Sequence, residues 1–461
     1  MTNPTSGALA RPLWWDQLPH EVATRPPLKH NIDVDVAVVG AGYTGLWTAH
    51  YLLERDPNLT IAVVERDHVA FGASGRNGGW CYDRFAASPS RIEKDSDLDT
   101  ATRWGAVLRA TVDEVGRVAS EHGIECSFNK SGNIEFLRNA GQLERAHADI
   151  AKAHRYGWSK ADTRILDASE ANEIGKAAGV VGGLWSSNSA SIQPAKLAYG
   201  LADSLERRGV TIYEATPATD IGSGRVTTPG GTVTAQMVVR ATEGYTADLP
   251  GLKRLLAPLY SLMIATEPIP RDVWDSIGLA NRELFGDLRH LVIYGQRTAD
   301  DRIAFGGRGA PYDFGSRVRP NAEFPPTAFH AVHAALVDVF PQVHGVGITH
   351  RWGGVLGVTR GWYPTASIDR DAKLAWAGGF VGSGVAATNL AGRTLADLIA
   401  SQDTELTAFP WVNRAVRKWE PEPLRWLGIN AALRVMQSAD TTENRGGGAS
   451  ARAELLWQVI E

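Results

Sequence analysis

The 461-residue chain has little cysteine, little excess charge and no long apolar run. Its two cysteines, Cys81 and Cys126, are too few for a disulfide framework, so we expect reduced thiols. A net charge of -4 supplies no basic surface for nucleic acid or anionic lipid. No stretch approaches the roughly 20 apolar residues of a membrane helix, and residues 1–11 lack the apolar core of a signal peptide. We therefore expect a cytoplasmic protein without nucleic-acid or membrane partners.

A glycine motif between two short apolar runs carries the strongest functional signal. Residues 34–39 and 59–64 are β-branched runs typical of buried parallel strands. Between them, Gly40-Ala41-Gly42-Tyr43-Thr44-Gly45 leads into an apolar-periodic helix, the context in which G-x-G-x-x-G binds a dinucleotide pyrophosphate. Glu65 follows about 20 positions later, where a carboxylate accepts hydrogen bonds from ribose hydroxyls. The pattern predicts a site for NAD or FAD.

A second glycine-rich loop distinguishes between these two cofactors. Residues 72–79, Gly-Ala-Ser-Gly-Arg-Asn-Gly-Gly, stand where a nicotinamide dehydrogenase carries an ordinary helix. Such a loop can wrap an extended FAD, with Arg76 and backbone N–H groups near its phosphate or ribityl oxygens. The alternative interpretation is a mobile surface loop. We expect FAD.

A third glycine cluster, residues 378–387, imitates a second dinucleotide fingerprint through Gly382, Gly384 and Ala387. No strand ending in an acidic residue follows the helix behind it, so we do not predict a separate NAD(P) domain. The N-terminus of that helix is better suited to stabilise negative charge on a reduced flavin ring. Reducing equivalents must then come from the substrate itself.

These motifs together resemble the D-amino-acid-oxidase-like (DAO) superfamily of FAD-dependent oxidoreductases, over about residues 34–400. The string at residues 74–79, Ser-Gly-Arg-Asn-Gly-Gly, is similar to that of the γ-glutamylputrescine oxidase-like branch. Residues 238–245, 265–268, 305–308 and 378–388 also fit. The resemblance implies oxidation of a small amine or amino acid by hydride transfer to flavin N5, giving an imine that hydrolyses to a carbonyl compound. We expect O2 as the electron acceptor, with H2O2 produced.

The chain departs from the superfamily at two places. Residues 352–364 lack the cysteine that tethers the flavin in sarcosine oxidases, so we expect non-covalent FAD, and a link through Cys81 is improbable. Trp80 follows the double glycine where the putrescine branch commonly has Gln.

The expected cofactor-binding residues are Gly40, Ala41, Gly42, Tyr43, Thr44, Gly45, Glu65, Arg66, Ala73, Ser74, Arg76, Asn77, Gly78, Gly79, Trp80, Ala218, Ala241, Thr242, Gly244, Tyr245, Gly354, Gly379, Gly382, Gly384, Val385, Ala386 and Thr388.

The expected fold class is α/β. A Rossmann-type FAD-binding domain (GR2-like) over residues 31–90, 185–257 and 345–400 is interleaved with an α+β substrate domain. That second domain, residues 91–184 and 258–344, is expected to contain a mixed or antiparallel sheet. Residues 1–30, rich in proline and aromatics, are expected to form an extended surface arm. Residues 401–461 are expected to form a helical tail, with a helix at 423–437 and disorder in the polar stretch 440–448.

Candidates for the substrate pocket lie on the expected substrate sheet and the last loop. Arg308, flanked by glycines, can hold a substrate carboxylate bidentately. Arg297, in a turn with Asp300 and Asp301, is at least as well explained as a surface charge. The remaining candidates are Tyr260, Tyr294, Trp352, Trp362, Tyr363 and Trp80, with His350 as an outside candidate and His290 expected to be structural.

Three functions remain open at this point. The first is an amine or amino-acid oxidase that uses O2, and the second is a dehydrogenase that passes electrons to a quinone or another acceptor. The third is a non-catalytic flavoprotein subunit of a larger complex. The sequence has no Ser-His-Asp set, HExxH or CxxC, so neither a hydrolase nor a metal site is predicted. The oligomeric state is not readable.

Overall fold

The computed structural model describes residues 11–18, 24–319, 324–446 and 448–460. These residues contain eighteen strands and thirteen α-helices. The strands are β1 Ile32–Val39, β2 Ile61–Val64, β3 Trp80–Tyr82, β4 Asn133–Leu137, β5 Thr163–Leu166, β6 Gly182–Ser186, β7 Ser189–Ser191, β8 Thr211–Tyr213, β9 Asp220–Gly222, β10 Arg225–Thr228, β11 Gly231–Arg240, β12 Leu256–Thr266, β13 Leu284–Asp287, β14 Ile293–Arg297, β15 Ile303–Arg308, β16 Ile348–Thr359, β17 Thr365–Asp369 and β18 Leu374–Gly378. The helices are α1 Leu13–Asp16, α2 Tyr43–Arg55, α3 Pro89–Asp95, α4 Leu98–Glu121, α5 Ala140–Arg155, α6 Ala168–Ile174, α7 Pro194–Arg207, α8 Arg271–Ile277, α9 His330–Val339, α10 Gly384–Ile399, α11 Glu405–Ala408, α12 Leu424–Asn444 and α13 Ala451–Ile460.

The first sheet has the strand order β17-β18-β11-β1-β2-β8, with the β9-β10 hairpin paired to β11. Strand β1 pairs in parallel with both β11 and β2. Residues 36–39 and 61–64 are buried, as their unbroken apolar runs predict for strands covered on both faces. Gly40 ends β1 at φ +108°, and a Cβ there would lie 2.6 Å from the carbonyl oxygen of Ala241. Glycine is therefore required at this turn.

The second sheet has the order β16-β12-β15-β14-β13-β4-β6-β5. Its pairings are antiparallel except for β13 with β4. The predicted fold class, a Rossmann-type domain combined with a mixed second sheet, is confirmed.

The sheets divide the chain differently from the expected domain boundaries. Strand β16 and part of β6 belong to the second sheet, although the sequence patterns placed them with the FAD-binding domain. Helix α4 packs against α10 and buries Trp104 and Leu108 in the core of the first sheet, whereas the sequence patterns predict it in the substrate domain. Sheet membership depends on long-range pairing, which local patterns do not encode.

Residues 11–18 of the N-terminal segment do not form an extended surface arm, whereas residues 24–30 form no helix or strand and are mostly exposed. Residues Leu13–Asp16 form a helical turn, and Trp14, only 1% exposed, packs edge-on against Trp352. Burying the apolar side chains of this segment stabilises the folded chain. This gain outweighs the preference of its prolines for an extended backbone. Residues 1–10 and 19–23 of the expected arm lie outside the described residues.

The C-terminal tail contains helices α11, α12 and α13, and its main helix is longer than expected. Helix α12 runs seven residues past Gln437 to Asn444, so disorder does not begin at residue 440. The carboxylate of Asp440 accepts hydrogen bonds from the backbone N–H groups of His290 and Leu291, and buried Glu443 pairs with Arg145. These tertiary contacts hold a polar stretch in a helix. No helix among the described residues is long and apolar enough to cross a membrane.

Candidate active site

One elongated cavity extends from the carboxyl end of β1 to the second sheet. It encloses about 2080 Å³ of empty space, with the open solvent at its mouth included. The expected cofactor residues that line it are Gly40, Gly42, Tyr43, Thr44, Glu65, Arg66, Ala73, Ser74, Arg76, Asn77, Gly78, Trp80, Ala218, Ala241, Thr242, Gly244, Tyr245, Gly354, Gly382, Gly384, Val385 and Thr388. Ala41, Gly45, Gly79, Gly379 and Ala386 do not line it.

The first glycine loop forms one end of the cavity, at the N-terminus of α2. A Cβ on Gly42 would lie 3.0 Å from Ser74 Oγ, and a Cβ on Gly45 would collide with the carbonyl oxygen of Gly40. The backbone N–H of Tyr43 donates to Ser74 Oγ at 2.8 Å. Free backbone N–H groups and the positive end of the helix dipole favour an anion at such a position.

Glu65 closes the same end from β2. Its Oε2 accepts a hydrogen bond from the N–H of Ala41 at 2.9 Å, and its Oε1 accepts one from Asp67 at 3.0 Å. Burial raises the pKa of this carboxyl, while the two N–H donors oppose the rise. The carboxylate therefore holds the backbone of the glycine loop in place. It lies where the ribose of a dinucleotide would be bound.

The second glycine loop is packed into the protein. Arg76 is buried, and its Nε donates to Phe71 O at 2.8 Å while its guanidinium lies 4.5 Å from the centre of the Trp15 ring. Trp14 Nε1 donates to Asn77 O at 2.8 Å, and Trp352 Nε1 donates to Arg76 O at 2.9 Å. Buried indole donors thus fix the backbone of this loop, and the alternative of a mobile surface loop is not supported.

The third glycine cluster meets the cavity where α10 begins. Gly382, Gly384, Val385 and Thr388 line this part. Glu243 also lines it, and its Oε1 accepts a hydrogen bond from the N–H of Phe380 at 3.2 Å. Burial raises the pKa of Glu243 to about 7. This acid is anchored to the backbone of the cluster.

Aromatic and charged side chains form the wall on the second sheet. The hydroxyl of Tyr294 lies 2.6 Å from Ser261 Oγ, and burial raises its pKa. Arg308 Nη2 donates to Val381 O at 2.6 Å. Trp80 Nε1 donates to Gly295 O at 3.1 Å. Of the expected pocket residues, Arg308 and Tyr294 on the second sheet and Trp80 on β3 line this part of the cavity.

The other expected pocket residues lie outside the cavity. The hydroxyl of Tyr260 accepts a hydrogen bond from the backbone N–H of Arg319 at 2.5 Å, Trp352 is buried beneath the second loop, and the Trp362 ring centre lies 5.9 Å from the Arg308 guanidinium.

Three further candidates also lie outside. Arg297 pairs with Asp301 at 2.6 Å, His350 contacts Asp16 at 3.0 Å, and Tyr363 packs under the guanidinium of Arg414.

The sequence analysis missed several cavity residues, and those with polar or charged side chains include Tyr82, Arg84, Glu135, Glu243, Asp248 and Ser261. The hydroxyl of Tyr82 lies 3.0 Å from Ser383 Oγ. Glu135 interrupts the otherwise apolar end of β4, Ile134-Glu135-Phe136-Leu137, and a buried charge in such a run is a signal that could have found it. Arg84 and Ser261 have no comparable local signal.

The sequence profile of the family described as FAD dependent oxidoreductase (DAO) matches residues 35–398. The chain belongs to this family. Gamma-glutamylputrescine oxidoreductase of Escherichia coli (strain K12) is 30% identical to this FAD dependent oxidoreductase over 390 residues, 83% of this chain and 87% of that protein. L-proline dehydrogenase from P. horikoshii is 20% identical with a TM-score of 0.68, covering 84% of this chain and 98% of that one. Glycine oxidase from Bacillus cereus ATCC 14579 is 20% identical with a TM-score of 0.66, covering 83% and 100%. Both solved structures share the fold.

The residues present fit the family's cofactor, FAD. The first loop is cleared of side chains by glycine, a helix N-terminus points at the same space, and a carboxylate stands at the end of β2. Cys81 is fully buried on β3 and lies outside the cavity, and burial raises the pKa of its thiol well above its usual value. It is not placed to carry a flavin link in this arrangement.

Proposed function

We propose that this FAD dependent oxidoreductase oxidises a small amine or amino acid to an imine that hydrolyses to a carbonyl compound, with O2 as the electron acceptor and non-covalent FAD. The observation that carries the proposal is the continuity of one cavity from the glycine loops to an aromatic and charged wall on the second sheet. FAD, when bound, supplies the acceptor for the two electrons of the substrate C–H bond. The substrate reaches it without a second nucleotide domain.

The chain's own residues position the substrate and exclude water. Trp80, Tyr82 and Tyr294 form an aromatic wall, and the rings of Trp80 and Tyr82 meet edge-on with centres 5.7 Å apart. An aromatic, partly dry wall favours the neutral form of an amine, whose lone pair must form the new C=N bond. Arg308 keeps free N–H groups beside the one bound by Val381, so it can hold a substrate carboxylate.

The relative from E. coli supports an amine rather than an alcohol as the donor, since its name gives γ-glutamylputrescine as its substrate. Gamma-glutamylputrescine carries both a primary amine and a carboxylate. The cavity of this chain presents an aromatic wall together with the guanidinium groups of Arg84 and Arg308, which suits a ligand of that mixed kind.

Anaerobic bleaching of the flavin absorbance tests the proposal. The holoprotein is mixed with a monoamine, a diamine, an N-methyl amine and an amino acid, with L-2-hydroxyglutarate as the alcohol control. We expect at least one amine to bleach the flavin and the alcohol to leave it oxidised. Bleaching by the alcohol alone, or by dithionite alone, would contradict the proposal. Rapid return of the yellow colour in air, with H2O2 formed, supports O2 as acceptor, whereas return only after a quinone is added contradicts it.

A further inference from the structure

Glu135 is a buried carboxylate that the proposed function has not yet used. It lies on β4, is only 6% exposed and lines the cavity. Its carboxylate accepts no hydrogen bond from any residue in the described part of the chain. A buried carboxylate without a donor is costly unless a cation or a donor meets it. Because of this cost, a purely structural role is a poor explanation for a carboxylate at this position.

The sheet register places Glu135 beside Tyr294. Tyr294 on β14 is paired with Gly286 on β13, and Gly286 is paired with Glu135. Residues paired across a sheet point to the same face. A Cβ on Gly286 would lie 2.5 Å from Glu135 Oε2, so the carboxylate lies over this glycine, between its own strand and Tyr294.

A second glycine, Gly306, leaves the space that the Tyr294 ring occupies. Gly306 on β15 is paired with Tyr294, and a Cβ there would collide with the Tyr294 ring. The row Gly306-Tyr294-Gly286-Glu135 therefore presents one aromatic ring and one carboxylate above a floor of glycines, with Met263 Sδ at its Gly306 end. An amine lying on this floor would reach both groups.

Two charged groups face Glu135 from neighbouring elements. Arg84, in the segment after β3, attracts it, and Asp287 on β13 repels it. Asp287 is already held by Arg289, at 2.6 Å, and the β6 neighbour of Glu135 is apolar Leu184. Arg84 forms no ion pair with Glu135 within 4.0 Å. Space for a cation therefore remains at the carboxylate.

The electrostatic balance at Glu135 suits a proton acceptor. Burial raises its pKa to about 8, and Arg84 opposes the rise. The pKa of Glu135 is therefore closer to the pKa of an alkylammonium ion than the pKa of an ordinary carboxyl is. The smaller difference lowers the free-energy cost of moving a proton from the ammonium to Glu135. Of the other cavity acids, Glu65 and Glu243 already accept backbone N–H groups, and Asp248 pairs with Arg66. Oε2 of Glu243 has no hydrogen-bond partner among the described residues, but it lies over Gly357, away from the Tyr294 row.

We infer that Glu135 binds the substrate as an ammonium ion and accepts one of its protons before oxidation. The inference rests on the proposed amine oxidation. One N–H bond of the ammonium breaks, an O–H bond forms on Glu135, and the electron pair stays on nitrogen. This transfer needs no oxidant, and it leaves the neutral amine that can form a C=N bond. The substrate class is thus an amine that enters the cavity in its protonated form.

The pH dependence of anaerobic flavin reduction tests the proton transfer. With Glu135→Gln, we expect reduction at pH 7.5 to slow by about 100-fold and to recover as the pH approaches the pKa of the free amine. Glu135→Asp should restore part of the rate. A merely structural role would slow the reaction equally at every pH, and an unchanged pH profile would overturn the inference. Glu283→Gln, a buried glutamate outside the cavity that is bonded to Asn281, is the matched control and should keep the wild-type profile.

A quaternary ammonium ion tests the binding contact separately, because it has charge but no proton to give. We expect butyltrimethylammonium, followed by its perturbation of the flavin spectrum, to bind the wild-type holoprotein about 10-fold or more tightly at pH 9 than at pH 6.5. Affinity that is independent of pH overturns the contact, and this measurement needs no variant to fold. If no amine bleaches the wild-type flavin, the proposed function fails; if amines bleach wild type and Glu135→Gln with the same pH profile, only the role of Glu135 fails.

Discussion

The indole Nε1 of Trp14 donates a hydrogen bond to the backbone oxygen of Asn77, with 2.8 Å between the two atoms. This bond joins the N-terminal helix α1 to the second glycine loop, 63 residues further along the chain. Since Asn77 also lines the cavity, the N-terminal segment supports the cofactor site from behind. Its stability and the retention of FAD should therefore be linked.

Replacing Trp14 with Phe tests this link. The variant keeps most of the buried ring but leaves Asn77 O without its donor, which we expect to cost about 1–3 kcal/mol of unfolding free energy. We also expect faster loss of FAD on dilution, measured by flavin fluorescence. Trp411→Phe is the matched control, because the Nε1 of buried Trp411 has no hydrogen-bond partner among the described residues. Equal effects of the two substitutions would remove the hydrogen bond from the explanation.

Glu65 offers a second test of the cofactor site. Glu65→Ala removes the acceptor for the Ala41 N–H and the expected partner of the ribose hydroxyls, so we predict FAD binding weakened by about 10-fold or more. Glu65→Gln keeps an acceptor for Ala41 and should lie between wild type and Ala. Flavin occupancy after gel filtration is the measurement. Full occupancy in Glu65→Ala would contradict the assigned role.

Arg308 is predicted to select for a carboxylate. Its guanidinium is held by Val381 O and by the ring of Trp362, which leaves other N–H groups for a ligand. With Arg308→Ala, we expect KM for amines that carry a carboxylate to rise about 10-fold or more, and KM for simple monoamines to rise less. Arg297→Ala serves as control, because Arg297 is paired with Asp301 outside the cavity. Unchanged kinetics on acidic substrates would return Arg308 to a structural role.

Acid stability should depend on His50. Burial lowers the pKa of His50 to about 3, with the guanidinium of Arg208 as a further cause. The unfolded chain takes up a proton near pH 6.5, whereas the folded chain resists it, so stability falls as the pH drops below that value. Between pH 7 and pH 5 we expect a loss of about 2 kcal/mol that His50→Gln does not show. Urea unfolding at the two pH values measures it, and an identical loss in both proteins would refute the assignment.

Local sequence patterns predicted the cofactor end of the molecule well. The glycine spacing, the flanking β-branched runs and Glu65 lie within one short stretch, so β1, the loop, α2 and β2 could all be read from it. The contacts between residues at the substrate end depend on the register in which the strands pair. Glu135, Gly286 and Tyr294 are far apart in sequence and meet only through the pairing of β4, β13 and β14. Likewise, the aromatic character of Trp352 suggested a pocket, but its indole N–H is committed to the backbone of Arg76.

The central claim is that this chain converts an amine to a carbonyl compound with electrons passing to FAD. Its most direct test is a single anaerobic turnover, in which holoprotein is mixed with an excess of an amine that bleaches its flavin and the carbonyl product is counted by mass spectrometry. We expect one carbonyl molecule for each flavin reduced. Flavin reduction without carbonyl product, or no reduction by any amine while dithionite still reduces the flavin, would contradict it.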